Sequence, residues 1–140
     1  MTEVYVDVTA ASIEQGGAAG DATLIAEPEA VRSLRYLADS GVRVVIVTAG
    51  GSRPDAELAA VAAAVVSGVP PRPRAPAWYL TSDLSRCRGS SASLRTVLIG
   101  AAPPLGSVRR CDAVARDVQA AAMEILAAVA MPPRNDAGPA

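Results

Sequence analysis

Apolar residues in this chain follow two rhythms. Short β-branched or aromatic runs, "VYVDV" (4–8), "VRVVIVT" (42–48), "AWYLTS" (77–82) and "LRTVLIG" (94–100), read as strands. The second is almost continuously apolar, as expected of a strand buried on both faces. Between these runs the apolar positions recur at helical spacing. Pro28 suits a first helical residue, Val31, Leu34 and Ala38 follow on one stripe, and Gly41 closes the helix. Pro54 opens a second predicted helix, with Leu58, Val61 and Val65 on one face and its end at Gly68. A third is predicted from about Asp112, with Val114, Val118, Ala122, Ile125 and Val129 in register.

The intervening segments are of other kinds. Residues 9–27 are small and Gly-rich, a long loop with room for a short hairpin on "ATLIA". "VPPRPRAP" (69–76) is a stiff linker that cannot be helix. "DLSRCRGSSAS" reads as a polar turn or short helix, and "MPPRNDAGPA" as a stop followed by a frayed tail. Strands alternating with helices imply right-handed crossovers. The expected fold is α/β, three-layered and Rossmann-like, with a mainly parallel sheet of four to five strands and helices on both faces. One domain over 1–131 and a flexible C-terminal tail over 132–140 complete the expectation.

Composition narrows the chemistry. The chain has 140 residues, 51% of them hydrophobic, and a net charge of −1, which suits one soluble domain. No basic excess points to nucleic acid or to an anionic membrane, and no apolar run is long enough for a membrane span. "MTEVYVDV" lacks a secretion pattern, and two cysteines, Cys87 and Cys111, make no disulfide framework. They are expected to be packed thiols in a reducing cytoplasm. His is absent and every basic residue is Arg, so imidazole bases, His-ligated metals and Schiff-base lysines are excluded. Ala, Arg and Pro richness without Lys suggests a GC-rich bacterial genome.

In a parallel sheet, ligands bind beyond the carboxyl ends of the strands. There, strand 1 carries Asp7 and Thr9, strand 2 Thr48, and strand 3 Ser82 and Asp83. Strand 4 ends in Gly100 with no acid. Three strand ends thus offer acid, hydroxyl and acid. Each has a plainer reading: Asp7 as a solvated strand-end acid or a cap for the following turn, Thr48 as a common strand-end residue, Asp83 as the N-cap of "LSRC".

This pattern resembles the haloacid dehalogenase (HAD) superfamily, chiefly phosphatases and phosphotransferases. "VYVDVTAAS" stands at the family's Asp-x-Asp-Gly-Thr motif, "VRVVIVTAG" at its strand ending in Thr or Ser, and "WYLTSDLSRC" at its acidic fourth motif. The resemblance covers roughly 3–100. It implies that Asp7 is a nucleophile forming an aspartyl-phosphate. Asp7, Asp83 and the carbonyl of Thr9 would hold Mg²⁺, which screens charge and polarises the phosphoryl group. Thr48 would hydrogen-bond that group, and backbone N–H groups of Ala49 and Gly50 could approach it. The motif lysine is missing, with Arg72 or Arg74 as its replacement.

The departures weaken the chemistry. Thr9 replaces the acid that protonates the leaving group and activates water, help worth roughly 10²–10⁴ in rate. P-type ATPases also carry Thr there and keep a long-lived phospho-enzyme. Ala10 and Ala11 replace Gly and Thr, and Cys87 replaces the second acid of the fourth motif. No insertion is long enough for a cap domain, so residues 9–27 could make only a small flap. Two expectations follow. One is a weak Mg²⁺-dependent phosphatase or phosphotransferase working through Asp7 on a phosphorylated substrate. The other is a catalytically inactive HAD-fold module that binds a protein partner or assembles, with small-residue helices that leave room for a homodimer. Receiver and dinucleotide-binding readings fail for want of a Lys, of an acid paired with Asp7, and of G-x-G-x-x-G after strand 1.

Overall fold

The first strand enters the middle of a sheet because both of its faces are apolar up to the acid. In the computed structural model, which describes residues 2–15, 23–48, 53–70, 76–87, 94–100 and 111–130, β1 (Glu3–Asp7) pairs in parallel with β4 (Arg43–Val47) on one side. On its other side it pairs in parallel with β6 (Ala77–Thr81). β7 (Leu94–Ile99) follows β6, and β5 (Ala64–Val66) and β8 (Ala113–Ala115) form the edges. The order is β5-β4-β1-β6-β7-β8, all pairings parallel. The sheet therefore has six strands, more than the four to five expected.

Side chains alternate across this sheet and sort the two faces. Val4, Val6, Val44, Ile46, Trp78, Leu80, Val97 and Ile99 point to one side. There they meet Leu34 and Leu37 of α1 (Pro28–Asp39), Leu58 of α2 (Ala56–Val61), and Val118 and Ile125 of α3 (Val118–Ala130). Tyr5, Val45, Val47, Ala77 and Tyr79 point to the opposite side, packed by Ala64, Val66 and Val69. Among the described residues, all three helices lie on the first face. Gly41 ends α1 with φ 92°, a conformation that suits a residue without Cβ.

Two predicted helices begin or end differently. α2 stops at Val61, and Val65 lies in β5 rather than on a helical stripe. Ala63 N–H donates to the Val44 carbonyl at 2.8 Å, and Thr48 N–H to the Val66 carbonyl at 2.8 Å. These ladder bonds, with β-branched Val65 and Val66, outweigh helical continuation. Likewise Val114 belongs to β8, not to the last helix. That helix starts at Val118, capped by Asp117, whose carboxylate accepts the Ala120 N–H at 2.8 Å.

The segment after β1 makes a short 3₁₀ turn, Val8–Ala11, and then the hairpin β2 (Ser12–Gln15) and β3 (Thr23–Ala26). The "ATLIA" strand is thus present. Asp55 clasps the hairpin root by accepting the Ala26 N–H at 3.1 Å, and Glu27 N–H donates to the Ala11 carbonyl at 2.9 Å.

The cysteines correct a further expectation. Cys87 and Cys111 form a disulfide and are not free thiols. It packs on Leu98 of β7, with Leu84 and Val114 beside it. A sequence separation of 24 hides the pairing, because only the β6–β7–β8 neighbourhood brings the two residues together. No helix among the described residues is long and apolar enough to cross a membrane.

The edge assignment is testable by urea unfolding followed through Trp78 fluorescence. Ile46→Ala, fully buried on β4, should cost about 2–5 kcal/mol. Val65→Ala, 47% exposed on the edge, should stay within about 1 kcal/mol of the parent.

Candidate active site

Position parity puts three polar side chains on one face at the carboxyl end of the central strands. Asp7 shares the face of Tyr5, two residues before it on β1. Thr81 shares the face of Tyr79 on the neighbouring β6. Asp7 is only 2% exposed. A buried carboxylate needs donors, and it has them. Tyr79 donates its hydroxyl to Asp7 Oδ1 at 2.7 Å, and Thr81 donates to Oδ2 at 2.6 Å.

A third donor comes from the turn after β6. Residues Leu84–Arg86 form a single 3₁₀ turn, closed by N–H donation from Arg86 to Asp83 and from Cys87 to Leu84 carbonyls. The turn carries Arg86 back over the strand ends. Its Nη1 reaches Asp7 Oδ1 at 3.3 Å, Oδ2 at 3.4 Å and Tyr79 Oη at 3.4 Å. Its Nε lies 3.6 Å from Asp83 Oδ2. The guanidinium therefore stands between the two acids that the sequence marked as metal ligands.

Asp83 is engaged as well. Its Oδ1 accepts from Ser85 N–H at 2.9 Å and from the Ser85 hydroxyl at 2.7 Å, so it caps the turn. Those bonds, chiefly the Ser85 hydroxyl, hold its carboxyl below the usual range, with Arg86 adding to them. The Asp83 N–H in turn donates to Thr81 Oγ1 at 3.1 Å, which ties the turn to the residue that grips Asp7.

The remaining expected residues are placed as follows. Thr9 is exposed in the 3₁₀ turn after β1. With Asp7, Val8, Val47, Asp83 and Arg86 it lines a small pocket of about 120 Å³. That is well below the roughly 300–1,000 Å³ of pockets that enclose a small molecule. Thr48 is not part of this lining, and its hydroxyl donates to the Val66 carbonyl at 3.3 Å. Ala49, Gly50, Arg72 and Arg74 lie outside the described residues.

The donor set fits Mg²⁺ poorly. The two carboxylates supply four oxygens, and each already faces a protein donor: Tyr79, Thr81, Ser85 or Arg86. Among the described residues no group of three or more His, Cys, Asp or Glu could hold a metal ion. Mg²⁺ binds through hard oxygen ligands, and here those oxygens serve a guanidinium and three hydroxyls. Tyr79, Thr81 and Arg86 are the site residues that the sequence reading missed. Arg86 lies in the segment read as a polar turn. The available signals were the parity that Tyr79 and Thr81 share on one strand, and the i+3 spacing of Arg86 from Asp83, which one 3₁₀ turn brings back alongside.

No family model matches the chain, and no curated protein matches it. Among solved structures it is similar to the D,D-heptose 1.7-bisphosphate phosphatase from B. bronchiseptica, complexed with magnesium and phosphate. The TM-score is 0.56 and the identity 15%, covering 91% of this chain and 99% of that one. At that identity the likeness establishes the architecture alone: an α/β, Rossmann-like fold with a parallel sheet.

The Tyr79 hydroxyl gives a test of the cluster. Burial raises its pKa to about 12; Arg86 opposes the shift, and donation to Asp7 and its charge add to it. The unfolded tyrosine ionises near ~10, so the unfolded state loses this proton first. Tyr79 therefore contributes stability below about pH 10 that is lost as pH rises towards about 12. Urea midpoints across that window should fall more steeply in the parent than in Tyr79→Phe. The phenolate absorbance missing from Tyr79→Phe should appear only near pH 12.

Proposed function

We propose that this chain is a catalytically silent HAD-fold module, cytoplasmic and bacterial, whose strand-end acid centre is structural and whose role is to bind a protein partner. The observation that carries this reading is Arg86 between Asp7 and Asp83, within 3.3 Å and 3.6 Å. A phosphoryl-transferring aspartate needs an accessible oxygen and a cation that also serves the incoming phosphate. Asp7 has both oxygens gripped by hydroxyls, and its cation is a side chain of the same protein. Thr9 adds no acid or base of useful pKa, and the Thr48 hydroxyl is directed to the edge strand.

A second reading keeps weak Mg²⁺-dependent phosphatase chemistry through Asp7. Its support is the position of Asp7 at the end of the central strand beside a pocket, together with the fold shared with a phosphatase solved with magnesium and phosphate. For that reading Arg86 would have to leave both carboxylates, since the metal's ligand atoms are the ones it now faces.

The two readings separate under non-reducing conditions. The silent module should release no phosphate from an activated aryl phosphate with Mg²⁺ beyond the level of Asp7→Asn. Mg²⁺ with beryllium fluoride should leave its melting temperature unchanged. A ligand at a hundredfold excess over its Kd would add about 2.7 kcal/mol, a shift of several degrees for a domain of this size. Such a shift, or Mg²⁺-dependent turnover abolished in Asp7→Asn, would establish the enzymatic reading instead.

A further inference from the structure

The helical layer turns its outer face to solvent, and the side chains there are ordered by charge. On α1, Arg32, Arg35, Tyr36 and Asp39 are all exposed and stand at i, i+3, i+4 and i+7, one stripe of the helix. The aromatic ring in the middle is 63% exposed. Arg32 meets only its helical neighbour Glu29, at 3.2 Å and in the open. Among the described residues Arg35 and Asp39 have no ion-pair partner.

This stripe complements itself when it is reversed. An antiparallel copy, with a two-fold axis between positions 35 and 36, sets Arg32 against Asp39 of the partner subunit. It also sets Arg35 over Tyr36 of the partner subunit, a cation on an aromatic face. Each contact then occurs twice, as an isologous interface requires. A two-fold axis lying across α1 keeps each helix at its own lateral position, so it also sets α3 against its counterpart. α3 packs beside α1 on the same face of the sheet. Of its 13 residues only Gln119 and Glu124 are polar, yet Met123 is 66% exposed and Val129 40%. A helix that is apolar nearly all round is normally covered all round. One pair of helices about 18 Å long buries little, and the second pair brings the contact nearer the roughly 1,200 Å² of a small specific interface.

We infer that the outer face of α1 and α3 is the interface of a homodimer, held by Arg32–Asp39 and Arg35–Tyr36 contacts between copies. The inference names the protein partner of the silent-module reading as a second copy of this chain, and rests on that reading only for the role of a partner. A chain that proves monomeric overturns the dimer and leaves the account of the acid centre as it stands.

The test is sedimentation equilibrium of the full chain from roughly 1 to 500 µM, with circular dichroism to check folding. The parent should pass from monomer to dimer across that range. Asp39→Arg, which suits a helix C-terminus, should weaken the dimer at least about tenfold by facing Arg32 of the partner subunit with a like charge. The double swap Arg32→Asp/Asp39→Arg should restore it, because both contacts are re-formed with reversed sign. Tyr36→Ala and Met123→Ala change no charge and should each weaken the dimer; they decide the matter should a charge variant fail to fold. A parent that stays monomeric throughout overturns the inference and leaves this face to a different protein. So does a dimer that Asp39→Arg, Tyr36→Ala and Met123→Ala leave intact, since it forms elsewhere. A folded double swap that stays as weak as Asp39→Arg overturns the antiparallel pairing.

Discussion

A carboxylate at the end of a buried strand must be neutralised by something, and in this protein the partner is internal. Asp7 is enclosed by the sheet and gripped by Tyr79, Thr81 and Arg86. Charge-assisted hydrogen bonds of this kind are stronger than neutral ones, and an unmet buried charge is far costlier than an unmet amide. The surrounding features depend on that requirement. Tyr79 and Thr81 must share a face, the turn after β6 must double back, and Asp83 must cap it so that Arg86 reaches the strand ends.

The sheet makes the arrangement rigid. β1 lies between β4 and β6 in fixed register, so Asp7 cannot move without disturbing two ladders. The helices grip the opposite face through Leu34, Leu37, Leu58 and Ile125. The acid centre is therefore built on the central strands, and the guanidinium reaches it from the short turn after β6.

Much of the architecture was readable from the sequence because parallel strands buried on both faces write long apolar runs. "VRVVIV" and "VYV" could hardly be anything else. The three-residue edge strands β5 and β8 were not readable, since so short a segment has no period to count and borrows its conformation from a neighbour's open edge. Asp7 and Asp83 were found by asking what stands at strand ends. Asp83 as a turn cap was also within reach, because Asp followed by Leu-Ser is ordinary capping chemistry. Arg86 and the disulfide escaped for a common reason. Each acts across elements distant in sequence, 79 residues from Arg86 to Asp7 and 24 between the cysteines; the local i+3 spacing ties Arg86 to Asp83 but does not say that it reaches Asp7.

The central claim is that Asp7 stabilises this fold instead of being held ready for chemistry. Urea unfolding of Asp7→Asn against the parent, without divalent metal or reductant, tests it most directly. A structural acid loses its charge-assisted bonds to Thr81 and Tyr79 on substitution and leaves Arg86 with Asp83 as its acid partner. The account predicts a loss of about 2 kcal/mol or more. A functional acid kept charged for an external cation is a liability when that cation is absent, and removing its charge often raises stability. An Asp7→Asn variant as stable as the parent, or more so, would contradict the account.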